Sequence, residues 1–207
     1  WYENNGFESF TKNTIVSDGG FRPFAVDLDE DGDMDIVTSD MSSDELIWFE
    51  NNGAASFTER SIDGNIDNPR GVSVADLDED GDLDIVTVSY DDDDVVWYAN
   101  NGSESFTKST IDADLDGAFD AAIADIDNDG DLDIGAVGQL ADDVVWYANN
   151  GSESFTKYTI DSNIDKPYRI QIGDVDLDGD LDMLSHGYED DDVAWYENVD
   201  GGYVLGV

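Results

Sequence analysis

A nine-residue acidic segment recurs four times along the chain, and each copy begins 49 residues after the one before it. The first copy reads DLDEDGDMD from Asp27, and the others begin at Asp76, Asp125 and Asp174. A tryptophan followed by a segment such as YENNG is a second repeated marker, found at Trp1, Trp48, Trp97, Trp146 and Trp195. A chain with such a period is expected to fold as an array of similar units, because each unit repeats the same local sequence pattern.

Each unit predicts four short β-strands. In the second unit they are expected at Gly71–Leu77, Leu83–Ser89, Val95–Ala99 and Ser105–Ile111. These runs are rich in Val, Ile, Thr and aromatic residues, and clusters of Gly, Asn and Asp separate them. No window shows a sustained helical period. Four strands in a repeat of this length are typical of a β-propeller blade, and the recurring tryptophan is expected in the core between blades.

The predicted fold is therefore a single all-β domain made of four-stranded antiparallel blades. We expect a partial blade at 1–16 and further blades at 17–65, 66–114, 115–163 and 164–207. The number of blades in the ring stays open at this point. A four-bladed ring that mixes terminal strands, a five-bladed ring with one incomplete blade and a segment of a larger ring all agree with the repeats. The chain opens at Trp1 rather than Met, which indicates a processed chain or a part of a longer one.

The acidic segment has the pattern D-x-D-x-D-G-D-x-D, which is typical of a cation-binding loop. Aspartates at positions 1, 3, 5 and 9 can converge on one ion, the carbonyl of position 7 adds an oxygen, and glycine at position 6 allows the bend. An all-oxygen donor set favours Ca²⁺ over Zn²⁺ or Cu²⁺. Mg²⁺ fits less well, because it keeps several waters and suits a cage of carboxylates poorly. The loop is not an EF-hand, because position 12 is never Glu and the flanking segments are strands. We expect about four structural calcium ions.

These units resemble FG-GAP/VCBS-type repeats, the family that builds integrin α-subunit propellers and many secreted microbial proteins. The resemblance rests on the calcium loop and on the WYENNG strand pair that follows it, and it covers nearly the whole chain. The Phe-Gly and Gly-Ala-Pro words that name the family are absent. The resemblance implies these calcium ligands, of which the fourth in each loop binds through its carbonyl: Asp27, Asp29, Asp31, Asp33 and Asp35; Asp76, Asp78, Asp80, Asp82 and Asp84; Asp125, Asp127, Asp129, Asp131 and Asp133; Asp174, Asp176, Asp178, Asp180 and Asp182.

Charge excludes several classes of partner. The chain carries 52 acidic and 8 basic side chains, for a formal net charge of −44. Such a surface repels nucleic acid and anionic lipid, and no apolar run is long enough to insert into a membrane. The absence of cysteine excludes disulfides and thiolate chemistry. This balance, with so few lysines, predicts an extracellular or cell-surface protein of a halophilic or marine microbe, because salt screens the repulsion between acidic groups.

The face opposite the calcium loops holds the candidate ligand site. The positions five and six residues before each acidic motif, where the first strand of the unit begins, vary between units. The rest of each unit hardly changes. Aromatic and arginine side chains there would surround the mouth of the channel and suit a carbohydrate or an acidic peptide. The alternative is that they are ordinary loop residues that offset local acidic charge. The candidates are Phe21, Arg22, Arg70, Phe119, Tyr168 and Arg169.

No catalytic motif stands out, and the single histidine, His186, is expected to pack or lie on the surface. The leading hypothesis is a non-catalytic, calcium-stabilised extracellular module for binding or adhesion, with a glycan or a protein as its ligand. The first alternative is an architectural spacer or filament subunit that self-associates through its incomplete terminal blade. The second is the scaffold of a polysaccharide-degrading enzyme.

Overall fold

The computed structural model describes residues 1–17, 19–189 and 191–199 and the backbone of 202–205. All regular elements within these residues are strands, so no helix there has the length and apolarity needed to cross a membrane. The strands are β1 (Tyr2–Asn4), β2 (Phe10–Lys12), β3 (Phe21–Val26), β4 (Asp35–Asp40), β5 (Glu45–Asn51), β6 (Phe57–Asp63), β7 (Pro69–Ala75), β8 (Asp84–Ser89), β9 (Asp94–Asn100), β10 (Phe106–Asp112), β11 (Ala118–Ala124), β12 (Asp133–Gly138), β13 (Asp143–Asn149), β14 (Phe155–Asp161), β15 (Pro167–Gly173), β16 (Asp182–Gly187), β17 (Val193–Val199) and β18 (Gly202–Leu205).

Sixteen of these strands form four antiparallel sheets, each a meander of four strands in chain order. We call them blade 1 (β3–β6), blade 2 (β7–β10), blade 3 (β11–β14) and blade 4 (β15–β18). Strands β1 and β2 pair with each other in a separate two-stranded sheet, which we call the half-blade, rather than joining a terminal blade. The prediction of an all-β fold of four-stranded antiparallel blades is confirmed.

The first strand of the second unit ends earlier than the sequence predicts. It was expected to run to Leu77, but β7 ends at Ala75. The backbone N–H of Leu77 donates instead to the Asp84 carboxylate at 3.2 Å, and this bond draws the chain into the acidic loop. At the other end of the chain, residues 206 and 207 of the predicted blade at 164–207 lie outside the described residues.

Three apolar clusters fill the spaces between consecutive blades. Each cluster combines one face of a blade with the opposite face of the next blade. Trp48, Trp97 and Trp146 are buried in the three clusters, which confirms their predicted place in the inter-blade core. Burying a large apolar side chain stabilises the fold by about 1.5–3 kcal/mol, so these layers account for much of the attraction between blades.

The blades form a consecutive array around their innermost strands. Strand β7 packs against β3, β11 against β7, and β15 against β11. Among the described residues, no comparable packing joins β15 back to β3. The half-blade contacts blade 1 through an edge-to-face pair of Trp1 and Phe57, whose ring centroids are 5.6 Å apart. A similar pair, Trp97 and Phe155, joins blade 2 to blade 3.

Candidate metal sites and channel mouth

The acidic loops join the first two strands of each blade, and their backbone shows why the glycine is needed. The glycine at position 6 has a φ of 97° to 105° in the four loops, a conformation that side chains rarely adopt. The residue at position 4, such as Glu30 or Leu177, also has a positive φ, of 57° to 65°. A left-handed residue other than glycine costs about 1 kcal/mol, so the surrounding bonds must hold the loop in shape.

Each loop brings together three of the four aspartates whose side chains the motif predicts to converge on an ion. In each loop, oxygen atoms of three aspartates lie within 4.8 Å of one another. The first two loops cluster positions 1, 3 and 5, and the last two cluster positions 1, 3 and 9. The groups are Asp27, Asp29 and Asp31; Asp76, Asp78 and Asp80; Asp125, Asp127 and Asp133; and Asp174, Asp176 and Asp182.

The side chain at position 7 is not part of these groups. In the first loop, Asp33 lies against Gly53 of the turn between the third and fourth strands, where a Cβ would collide with its carboxylate. Gly102 and Gly151 leave the same space for Asp82 and Asp131. The resemblance implies that position 7 binds calcium through its backbone carbonyl, and this stays a prediction. Such a role is compatible with the contact between its side chain and the glycine.

The aspartate at position 9 is fully buried and connects the loop to that same turn. In blade 2, one Asp84 oxygen accepts the N–H of Leu77 and the other accepts the N–H of Asn100 at 2.7 Å. The other blades repeat this pair of bonds. Burial raises the pKa of Asp84 to about 6 although the Asn100 N–H opposes the shift, and the pKa of Asp133 is raised to about 6 for the same reason.

A second observation shows that the loops suit a cation. One carboxylate oxygen of the position-1 aspartate is buried without any hydrogen-bond donor among the described residues in three loops, at Asp27, Asp76 and Asp125. A buried anionic oxygen without a partner is costly, and two more carboxylates beside it add repulsion. A divalent ion would satisfy that oxygen and neutralise the cluster, and the all-oxygen donors fit Ca²⁺.

Five of the six predicted ligand residues are linked by ring and cation–π contacts at the channel mouth, the surface where the innermost strands begin. Arg22 has a φ of 53° and reaches across this surface, where its guanidinium pairs with Asp120 and donates to the Tyr168 carbonyl at 2.7 Å. Its charge also lies 5.3 Å from the ring centroids of Phe21 and Phe119. Burial lowers the pKa of Arg22, and Asp120 opposes that shift.

Arg70 lies on the other side of the same aromatic cluster. Its guanidinium is 5.6 Å from the Phe21 ring centroid, 5.1 Å from that of Phe119 and 5.0 Å from that of Tyr90. Phe119 is 3% exposed. Arg22 and Arg70 each contact the rings of Phe21 and Phe119 in the centre of the channel mouth, and all four side chains are at least partly buried there.

An accessible part of the mouth lies on blade 4. Tyr168 stacks with Tyr188 at 5.9 Å between centroids and an interplanar angle of 29°, and His186 lies 5.9 Å from Tyr168. Tyr188 is 65% exposed. Arg169 is exposed and forms no ion pair with any residue that the structure describes. With His186 it lines a cleft of about 400 Å³, and the two tyrosines lie outside that lining. We call Tyr168, Arg169, His186 and Tyr188 the blade 4 platform.

Sequence reasoning missed Tyr188 and assigned His186 no binding role. A signal for Tyr188 exists, because the turn between the second and third strands varies between units as the candidate ligand positions do. Its equivalents in the other units are Met41, Tyr90 and Gln139. Comparing the units at this turn would have placed Tyr188 beside Tyr168 on the same face.

Comparisons with known proteins agree with this fold. The FG-GAP-like repeat family matches residues 27–87 and 79–136. No curated protein matches the chain. Among solved structures, a lectin of Agrocybe aegerita described as recognising non-reducing terminal N-acetylglucosamine is 19% identical with a TM-score of 0.65, over 100% of this chain and 59% of the lectin.

Two further structures are similar. The biofilm matrix protein Bap1 of V. cholerae is 19% identical with a TM-score of 0.58, over 88% of this chain and 27% of Bap1. A protein from Lactobacillus plantarum is 12% identical with a TM-score of 0.68, over 98% of this chain and 60% of that protein. This chain spans less than two thirds of all three, and at such identities they support the fold alone. The family match covers more than half of the chain, and the chain therefore belongs to the FG-GAP-like repeat family of β-propeller proteins.

Proposed function

We propose that this chain is a calcium-stabilised extracellular binding module without catalytic activity. The observation that carries the calcium part is the buried, unpartnered oxygen of Asp27, Asp76 and Asp125 inside a cluster of carboxylates. The ions would hold the first turn of each blade against its neighbouring turn, since position 9 is bonded to both. Extracellular calcium modules bind at roughly 10⁻⁴–10⁻³ M, a range that favours a location outside the cell.

Calcium titration of the metal-free protein by calorimetry tests this proposal. We expect about four sites in the wild type and about three in Asp125→Asn, because that change removes a ligand from one loop. Asp114→Asn is the matched control, since Asp114 is exposed, lies outside the loops and loses the same charge. No calcium uptake, or four sites retained in Asp125→Asn, would contradict the assignment.

The binding part of the proposal places a glycan on the blade 4 platform. Sugar rings stack on aromatic faces, and the Tyr168–Tyr188 pair beside an unpaired Arg169 offers a stacking surface with a hydrogen-bond donor. The fold similarity to a lectin and to a biofilm matrix protein supports a module of this kind by analogy. A protein ligand with exposed acidic groups is the other option for the same surface.

A glycan array with three variants tests the platform. We expect binding by the wild type in calcium, loss of at least about tenfold in affinity for Tyr188→Ala and Arg169→Ala, and no change for Arg60→Ala. Arg60 is a fitting control because its guanidinium pairs with Glu50 and Glu104 away from the platform. An array without hits, or equal binding by all variants, would contradict the proposal of a glycan ligand.

The acidic surface supports a second part of the proposal, a saline setting. With 52 acidic and 8 basic side chains, repulsion within the folded chain falls as salt rises. Raising KCl at a fixed free calcium concentration should increase the melting temperature. A flat response would remove the halophilic or marine interpretation and leave the calcium assignment untouched.

One observation favours an architectural role as a second candidate function. Leu46, Val95 and Val144 are fully buried between blades, whereas the equivalent Val193 of blade 4 is 79% exposed. Val193 lines the same cleft as Arg169 of the blade 4 platform. Self-association into a spacer or filament through this face would therefore compete with a glycan for it. Light scattering across a range of protein concentrations tests it, and a strict monomer throughout would argue against it.

A further inference from the structure

A buried tyrosine crosses from each later blade to the blade before it. Tyr98 on β9 of blade 2 donates its hydroxyl to Asp63 at the end of blade 1, with 2.7 Å between the oxygens. Tyr147 of blade 3 makes the same bond to Asp112 of blade 2 at 2.6 Å. The three tyrosine rings are at most 2% exposed, so each hydroxyl needs a protein partner, and this bond supplies one. The third bond runs from Tyr196 of blade 4 to Asp161 of blade 3 at 3.0 Å.

A lysine completes two of these contacts. Lys108 lies directly opposite Tyr98 in the β9–β10 register, and its ammonium donates to the same Asp63 oxygen at 2.9 Å. Lys157 lies opposite Tyr147 and donates to Asp112 at 2.6 Å. Burial would raise the pKa of Asp112, but the Lys157 and Tyr147 hydrogen bonds outweigh it and lower the pKa. These two contacts therefore contain an ionised aspartate held by a tyrosine and a lysine of the next blade.

The junction between the half-blade and blade 1 replaces all three residues at once. Aligning the units places Val16 where the aspartates stand, Phe49 where the tyrosines stand and Glu59 where the lysines stand. Glu59 keeps its place opposite Phe49 in the register. Val16 and Phe49 line a common groove of about 310 Å³, and Val16 is 39% exposed. Joint replacement of the aspartate and the tyrosine by apolar residues avoids leaving either polar group buried alone.

We propose that an aspartate and a tyrosine, joined by a lysine at two of the three junctions, form a latch between blades. The half-blade is the one described junction that has neither the aspartate nor the tyrosine. The latch holds the outer strands of one blade against the next blade. Without it, the apolar layer alone would allow these strands to separate from the next blade. The half-blade rests on apolar contacts such as Trp1 with Phe57, so it opens more readily than the latched junctions. This inference is independent of the proposed calcium and glycan sites.

Hydrogen exchange of the calcium-loaded protein, read by peptide mass spectrometry, tests the latch with two matched triple variants. Val16→Asp with Phe49→Tyr and Glu59→Lys installs it at the half-blade, and exchange of Tyr2–Asn4 and Phe10–Lys12 should slow by about tenfold. Asp112→Val with Tyr147→Phe and Lys157→Glu removes it between blades 2 and 3. Exchange of Asp143–Asn149 and Phe155–Asp161 should then quicken by about tenfold.

The wild-type comparison and a milder variant keep the test decisive. In the wild type, the amides of Tyr2–Asn4 should already exchange faster than those of Asp143–Asn149. Tyr147→Phe alone preserves the ring and removes only the hydroxyl, and it should speed exchange at the same junction by at least about threefold even if the triple variant does not fold. Equal protection of the half-blade and the latched junctions, or unchanged exchange in Tyr147→Phe, would overturn the proposal.

Discussion

The face that holds the acidic loops differs from the channel mouth in how far the blades repeat one another. On the first, the same side chains make the same bonds in every blade, as in the paired N–H bonds to the buried aspartate at position 9. On the second, equivalent positions differ, and so do their roles: Arg22 is buried in an ion pair, whereas Arg169 is exposed and unpaired among the described residues. Repetition within this chain identifies the scaffold, but variation alone does not identify a ligand site.

Calcium removal should have the largest effect, because it acts on all four copies of the repeated face. A site filled at 100 times its dissociation constant stabilises the fold by about 2.7 kcal/mol, and four independent sites by about 11 kcal/mol. We therefore expect a chelator to lower the melting temperature by tens of degrees or to unfold the chain, as circular dichroism would show. Arg169→Ala in calcium is the control and should melt like the wild type. A melting temperature unaffected by the chelator would show that the loops are ordinary acidic turns.

Substituting Arg22 and Arg169 one at a time compares a buried structural residue of the channel mouth with an exposed one. Arg22→Ala removes the ion-pair partner of the buried Asp120 and leaves only the weaker attraction of Arg169 as a counter-charge. It should cost about 3 kcal/mol in the free energy of unfolding, measured by urea denaturation. Arg169→Ala, at an exposed and unpaired position, should stay within about 0.5 kcal/mol. Arg22→Ala combined with Asp120→Ala should cost less than the sum of the single changes. If both substitutions lowered the free energy of unfolding equally, Arg22 would not be the structural residue and Arg169 the accessible one.

The sequence predicted most of the repeated face and little of the mouth, for a physical reason. The period, the strand runs and the loop motif are local patterns, so they place the Asp27 and Asp76 clusters without knowledge of the packing. The reach of Arg22 to Asp120 depends on its left-handed backbone and on the spacing of blades, which no local pattern records. The repeats alone do not reveal the hydrogen bond from Tyr98 to Asp63. Once the bond is known, the aligned units show that Phe49 and Val16 replace both of its partners at the half-blade junction.

The pH dependence of stability gives the sharpest test of the repeated face. In the metal-free protein, burial raises the pKa of Asp84 and Asp133 to about 6, above the value of about 3.9 in an unfolded chain. The native state then binds more protons, so its free energy of unfolding falls as pH rises from about 4 through 6, by at most about 3 kcal/mol for each group. In calcium the sign reverses below about pH 6, because protonation competes with the ion for the same carboxylates.

Urea denaturation at pH 4.5 and pH 7.5, with chelator and with calcium, measures both slopes. Relief of the general repulsion among 52 acids also favours low pH, so the slope of the wild type alone does not isolate the loops. Asp84→Asn with Asp133→Asn removes the two titrating groups and should flatten the chelator curve relative to Asp114→Asn, which keeps them. If the double variant and this control gave the same slope, position 9 would not be the buried acid that ties each loop to its turn.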